Sequence, residues 1–254
     1  MKDRPRLINL ALIIGMLFGA LGLSYVPVGA QTLSDPVINE FSASTTGTDV
    51  EYVEIYGDSE TDYSAYKVLE IEGDSGTSIG FIDEVIDLGT TGTNGLYLVN
   101  LAANALENGT VSLLLVKDFT GTLGADIDSG DDGVIDEPAP WSALVDSVAV
   151  NDGGAGDITY GTTELYGNYD GLSSYAPGGA SRIPDGYDTD AITDWVRNDF
   201  DLAGIPGYEG TPIVGEAYNT PGELNMVVSE EAAEPVINEF SASTTGTDVE
   251  YVEI

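Results

Sequence analysis

Short alternating runs, each closed by Gly, Asn, Asp or Ser, recur along most of this chain of 254 residues. Val37–Phe41 is the first. Asp49–Tyr56 sets Val50, Tyr52 and Tyr56 on one face and Val53 and Ile55 on the other, the two-residue period of a strand. Tyr66–Glu72 opposes Val68, Glu70 and Glu72 to Leu69 and Ile71, and Phe81–Leu88, Gly95–Leu101, Val111–Val116 and Leu144–Val150 continue the series. The polar clusters between them, such as Ser42–Thr48, read as turns. Leu101–Leu106 and Ala191–Val196 alone look briefly helical. Gly153–Gly186 has little periodicity. Its Tyr160, Tyr166, Tyr169 and Tyr175 would be unusual in a disordered segment, so it reads as a long ordered excursion. The expected fold is all-β, an antiparallel sandwich with long loop excursions.

A repeat changes the domain count. Residues 35–55 and 234–254 match at every position except Asp35 against Glu234, at an offset of 199 positions. The expected organisation is one domain over 35–225, a linker over 226–233, and the first strands of a second copy over 234–254. Two explanations of the broken copy stand: an N-terminal fragment of a tandem protein, which is favoured, or a wrongly joined repeat boundary. The partial copy lacks partners for its strands. It is therefore expected to be loose, or to add to an exposed sheet edge.

The N-terminus carries an address. Lys2, Arg4 and Arg6 precede an apolar stretch from Leu7 to Leu23, and Val28-Gly29-Ala30 offers small residues before Gln31. That is the pattern of a cleaved signal peptide over 1–30, so the expected location is extracellular or on the cell surface. An uncleaved anchor is the alternative, since the apolar run is at the short limit for a span. No later run is long enough to cross a bilayer.

Charge narrows the partners. The chain has 7 Lys and Arg against 44 Asp and Glu. Signal removal takes away three bases and Asp3, which leaves 4 against 43. The balance argues against direct nucleic-acid binding by this segment because phosphates need Lys and Arg, and against anionic lipid as well. Cations and an unidentified extracellular or cell-surface ligand fit better, beside the plain reading of a charged, soluble exterior. Disorder is not expected, because 42% of residues are hydrophobic. There is no Cys, so no disulfide contributes. There is no His either, which excludes Ser-His-Asp and Cys-His catalysis and His-ligated zinc.

Pro36-Val37-Ile38-Asn39-Glu40-Phe41, followed by Glu51-Tyr52-Val53-Glu54-Ile55-Tyr56, resembles the opening of the lamin-tail domain family. Tyr63-Ser64-Ala65-Tyr66-Lys67-Val68 is similar to its next element, with Tyr63 and Ala65 where Leu and Gly are usual. Ser181-Arg182-Ile183-Pro184-Asp185-Gly186, Asp194-Trp195-Val196 and the closing Asn219-Thr220-Pro221-Gly222-Glu223-Leu224-Asn225 also match it. The resemblance covers roughly 35–225 and is strongest to the bacterial secreted type. It implies an immunoglobulin-like β-sandwich that binds or attaches rather than catalyses. Glu40 and Glu54 recur in the pattern. As partly buried acids they are expected to bond backbone or hydroxyl groups at strand ends, with cation or partner contact as the alternative.

One dense constellation invites metal chemistry. With Asp128 at position 1, Asp132 falls at 5, Gly133 at 6, Val134 at 7 and Asp136 at 9, the front half of an EF-hand-like loop. Asp126, Asp128, Asp132 and Asp136 would supply carboxylates, Val134 a carbonyl, and the ion would be Ca2+. Position 3 is Gly130 and position 12 is Ala139, so the match is incomplete, and an acidic surface turn is the alternative. Asn108-Gly109-Thr110 fits a glycosylation sequon but reads better as a turn. Trp141 and Trp195 are expected to be core or cover residues. Residues 160–175 could offer a carbohydrate-stacking surface, though scaffold packing is favoured. The leading function is a secreted, non-catalytic adhesion or targeting module with calcium as a stabiliser. The alternatives are an accessory N-terminal region of a secreted nuclease or phosphohydrolase whose catalytic domain is absent here, and a calcium-dependent surface spacer.

Overall fold

A computed structural model describes residues 34–76, 78–230, 239–241 and 251–253. The expected signal peptide over 1–30 lies outside the described residues. The strands are β1 (Val37–Ser42), β2 (Tyr52–Tyr56), β3 (Tyr66–Glu72), β4 (Ile82–Asp87), β5 (Leu96–Asn100), β6 (Val111–Lys117), β7 (Ala143–Asn151), β8 (Glu164–Tyr166), β9 (Gly179–Arg182) and β10 (Trp195–Arg197). They form two five-stranded sheets, β10-β9-β1-β2-β5 and β4-β3-β6-β7-β8. The fold is an all-β sandwich. Every pairing is antiparallel except β7 with β8, which is parallel.

The alternation seen in the sequence sorts side chains into layers. Val53 and Ile55 of β2 meet Val68 of β3, Leu113 and Leu115 of β6 and Val148 and Val150 of β7 in the core between the sheets. Leu69, Ile71, Leu114 and Val116 face the other way. They are covered by Ile127, Ile135 and Trp141 of the β6–β7 excursion and by Tyr160. On the outer face of the first sheet, Tyr52 packs with Leu202 and Ile205. Here Gly204, at φ +100°, lets the covering segment approach Asn219 so closely that a Cβ would lie 2.2 Å from its carbonyl oxygen.

Bulges break the two-residue period. The β1–β2 register shifts between Ile38 and Glu40, so Ile38 and Phe41 both reach the inter-sheet core. A second shift pairs Glu70 with Glu84 but Ile71 with Ile82. Asp83 is left as the extra residue, and Ile82 and Ile86 are sent to opposite faces.

The opening and closing segments of the domain meet in one buried polar network. Glu40 is fully buried. Its Oε1 accepts from Tyr52 Oη (2.6 Å), Asn198 Nδ2 (2.8 Å) and the Thr220 amide (2.9 Å), and its Oε2 from Thr220 Oγ1 (3.0 Å). Glu54 accepts from Asn39 Nδ2 (3.3 Å) and the Gly222 amide (2.7 Å). Asn225 donates through Nδ2 to the carbonyls of Asn39 (3.2 Å) and Arg182 (2.9 Å). The acids thus bond backbone, amide and hydroxyl groups, as expected of buried carboxylates, and the closing segment is tied to β1 across 180 positions.

Several local expectations are corrected. Leu101–Leu106 is turns, not helix, and Glu51 accepts the amides of Asn104, Ala105 (2.9 Å) and Leu106 (2.7 Å). Ala191–Val196 is a short 3-10 turn, Ile192–Asp194, running into β10. β8, β9 and β10 are strands that three- and four-residue runs without alternation concealed. At the start of the expected linker, the Val228 amide bonds the Glu216 carbonyl (2.6 Å) and the Tyr218 amide bonds the Met226 carbonyl (3.0 Å), so domain hydrogen bonding runs to Val228. In the repeated segment 234–254, Glu239–Ser241 pairs antiparallel with Tyr251–Glu253. The register repeats that of Glu40–Ser42 with Tyr52–Glu54. The two segments pair with each other, and neither joins the sheets of the first copy.

Candidate functional site

The Asp-rich loop 126–136 folds around one of its own carboxylates. Asp128 is buried. It accepts the amides of Asp132 (3.2 Å) and Gly133 (2.7 Å) and the Tyr160 hydroxyl (2.9 Å). Burial works to raise its pKa, but these donors outweigh burial and the net effect is a lowering. Asp126 accepts the Asp128 amide (2.9 Å), Asp132 the Val134 amide (3.0 Å), and Asp136 the Ser129 amide (3.0 Å) and hydroxyl (2.7 Å). Val134 is exposed. The candidate ligands therefore share one loop, but each carboxylate is engaged with nearby donors. No three of them bring oxygens within 4.8 Å of one another.

A different trio does. Among the described residues, Asp74, Asp152 and Asp157 form the group of three acids whose oxygens lie within 4.8 Å of each other. The topology explains the meeting. β3 and β7 both run antiparallel to β6, so the turns after β3 and β7 and the turn before β6 share one end of the sheet. Thr110, fully buried at that turn, sits among them. Its amide donates to Asp74 Oδ1 (2.8 Å), and its hydroxyl lies 3.1 Å from Asp152 Oδ1 and 2.9 Å from Asp157 Oδ2. One hydroxyl proton cannot satisfy both acids. Asp157 also accepts the Ser75 amide (2.9 Å), the largest of the contacts that lower its pKa. Three converging carboxylates with a hydroxyl can ligate a hard cation through oxygen.

Sequence reasoning missed this trio because its members sit in two Gly-rich turns far apart in the chain, Asp74 after β3 and Asp152 with Asp157 after β7. Asp next to Gly is ordinary turn chemistry, and the shared strand end is the one signal that could have joined them. Elsewhere, Trp195 is buried in the inter-sheet core and Trp141 covers the outer face. Tyr160 is buried while Tyr166 and Tyr175 are exposed, so the 160–175 tyrosines do not share one face. Asn108 lies in the turn before β6, its Nδ2 donating to Asp49 Oδ2 (3.1 Å). Among the described residues no helix is long and apolar enough to cross a membrane.

All four basic residues of the described part are held by internal acids. Lys67 pairs with Asp87 and Lys117 with Asp35 (3.8 Å). Arg182 pairs with Asp146 (2.9 Å) and Asp188 (2.9 Å), and Arg197 with Asp170. The remaining acids have no basic side chain within this region to neutralise them. Comparison with protein-family models, with curated proteins and with solved structures found no match.

Proposed function

We propose that this chain is an exported, non-catalytic binding module that recognises cationic ligands on an acidic β-sandwich. The observation that carries the reading is the charge balance of the fold. Each basic side chain among the described residues is consumed by an internal acid, and the large excess of carboxylates is left to face outside cations. The absence of His and Cys removes the commonest nucleophile and base pairs. The lamin-tail resemblance supports attachment as the role and the basic-then-apolar N-terminus supports export. Calcium is the proposed stabilising ion. The Asp74–Asp152–Asp157 junction suits it better than the 126–136 loop, because its three carboxylates converge within 4.8 Å of one another and those of the loop do not.

The test is a pair of measurements on the purified chain. Thermal unfolding in 1 mM calcium against chelator is expected to show a rise of about 5 °C, the size given by an ion about a hundredfold above its Kd. Asp74→Asn with Asp157→Asn should abolish that rise, whereas Asp132→Asn should keep it. Incubation with DNA and with phosphate esters should give no turnover. Robust hydrolysis, or a melting point indifferent to calcium and to basic ligands alike, would overturn the reading.

A further inference from the structure

Glu70 occupies an unusual position. It lies mid-strand in β3 on the face that carries Val68 toward the inter-sheet core, and it is 1% exposed. Its Oε1 accepts the Glu107 amide (3.2 Å), while its Oε2 is buried and has no hydrogen-bond partner. A buried carboxylate oxygen left without a donor costs more than an exposed one. Protonation alone does not repair this, because the new O–H would also lack an acceptor. Burial, with the charges of Asp83, Glu72 and Glu107 added, pushes the Glu70 carboxyl up to about 8 against that one amide bond.

Glu70 lies in the wall of an open cleft of about 520 Å³, lined also by Asp83, Glu84 and the turn Asn104–Asn108. Four acids, Glu70, Asp83, Glu84 and Glu107, line this cleft. Glu84 is directly across the ladder from Glu70, a like-charge pairing that destabilises a sheet. The β4 bulge leaves Asp83 as an extra residue at this rim. Glu51 fixes the opposite wall by holding the amides of Asn104, Ala105 and Leu106. No basic residue of the described fold lines the cleft.

No three of these acids bring oxygens within 4.8 Å of one another. Oxygens around calcium lie at about 2.4 Å from it and so within about 5 Å of each other, and among the described residues that spacing is met by the Asp74 trio instead. A guanidinium reaches further, since its five N–H donors point outward from a planar fork and can bond separate carboxylates. We infer that the cleft beneath Asn104–Asn108 receives the guanidinium of an arginine side chain from a partner, with Glu70 as its buried anchor and Asp83, Glu84 and Glu107 as its rim. This rests on the reading of the chain as a binder of cationic ligands and names the group it takes.

The experiment is an NMR titration of the purified chain with N-acetyl-arginine amide, with the neutral N-acetyl-citrulline amide, and with calcium chloride. The arginine probe is expected to shift the amides of Glu107 and Asn108. Citrulline should do so at least tenfold more weakly, and Glu70→Gln should weaken the arginine effect at least tenfold. Asp83→Asn, at an exposed position, should weaken it about threefold and guards against a variant that fails to fold. Equal shifts from arginine and citrulline would overturn the assignment, as would an unchanged response in Glu70→Gln. Calcium displacing the arginine probe from these amides would also overturn it, by making the cleft a metal site. Arginine binding that shifts only amides outside the cleft would sink the cleft while leaving the cationic-ligand reading intact. An arginine probe and calcium that both shift nothing would sink both.

Discussion

Replacing Arg182 by Met should test how the two sheets are joined. Arg182 is the largest fully buried side chain of the fold. Its Nη2 donates to Asp146 Oδ1 (2.9 Å) and Oδ2 (3.1 Å), its Nε to the Ile38 carbonyl (2.8 Å), and its Nη1 to the Tyr187 carbonyl (3.1 Å). Its guanidinium also lies 4.5 Å from the centre of the Trp195 ring. Asp146 in turn accepts the Ile38 amide (2.7 Å), so β9, β1 and β7 are linked through one ion pair across the sandwich. Removing one partner of such a pair costs about 3–5 kcal/mol, because the other charge stays buried. For a domain of this size that lowers the melting temperature by roughly 10 °C. The loss should depend on pH. Burial already pushes Asp146 up to about 6 even with Arg182 beside it. Without the guanidinium the carboxyl should rise further and be neutral by about pH 5. Thermal melts at pH 5 and pH 8 should therefore show the larger penalty at pH 8, and adding Asp146→Leu should recover part of it. A drop under about 2 °C, or the same drop at both pH values, would refute this account of the pair.

Stability should fall as pH rises from about 5 to about 9. Glu54 and Glu70 are each pushed up to about 8, first by burial, and Glu40 and Glu51 are raised for the same first reason. A carboxyl raised in the folded state holds its proton more tightly than the unfolded chain does. Its contribution is full below about 4.5 and is lost as pH climbs through the folded value. Urea midpoints across that range should decline, and a steady rise would refute the assignment. Tyr52→Phe removes one donor to Glu40 and should cost about 1–2 kcal/mol in urea unfolding, whereas a neutral result would mean the Glu40 network re-satisfies itself. Asp128→Ala should cost about 2–3 kcal/mol with or without calcium, since the carboxylate holds two amides and the Tyr160 hydroxyl. A penalty seen only in calcium would return the metal to that loop.

Strand positions in the first half were legible because burial on alternate faces leaves a two-residue period, and Tyr66–Glu72 is a strand from end to end. The later strands were not. Gly179–Arg182 is four residues of Gly, Ala, Ser and Arg, and it becomes a strand because β1 on one side and β10 on the other pair with its backbone. Glu40 and Glu54 could be read as buried acids needing donors, but their donors at Thr220 and Gly222 lie too far along the chain for any local pattern to show.

The amino-acid order by itself determined the all-β class, the duplicated opening and the excess of acid, because each depends on composition or on neighbours a few residues apart. Only the tertiary structure decided which acids meet. Antiparallel pairing of β3 and β7 with β6 carried Asp74, Asp152 and Asp157 to one sheet end. A one-residue bulge set Asp83 beside the cleft of Glu70. Electrostatic energy depends on distance through space, and strand register, not sequence separation, sets that distance.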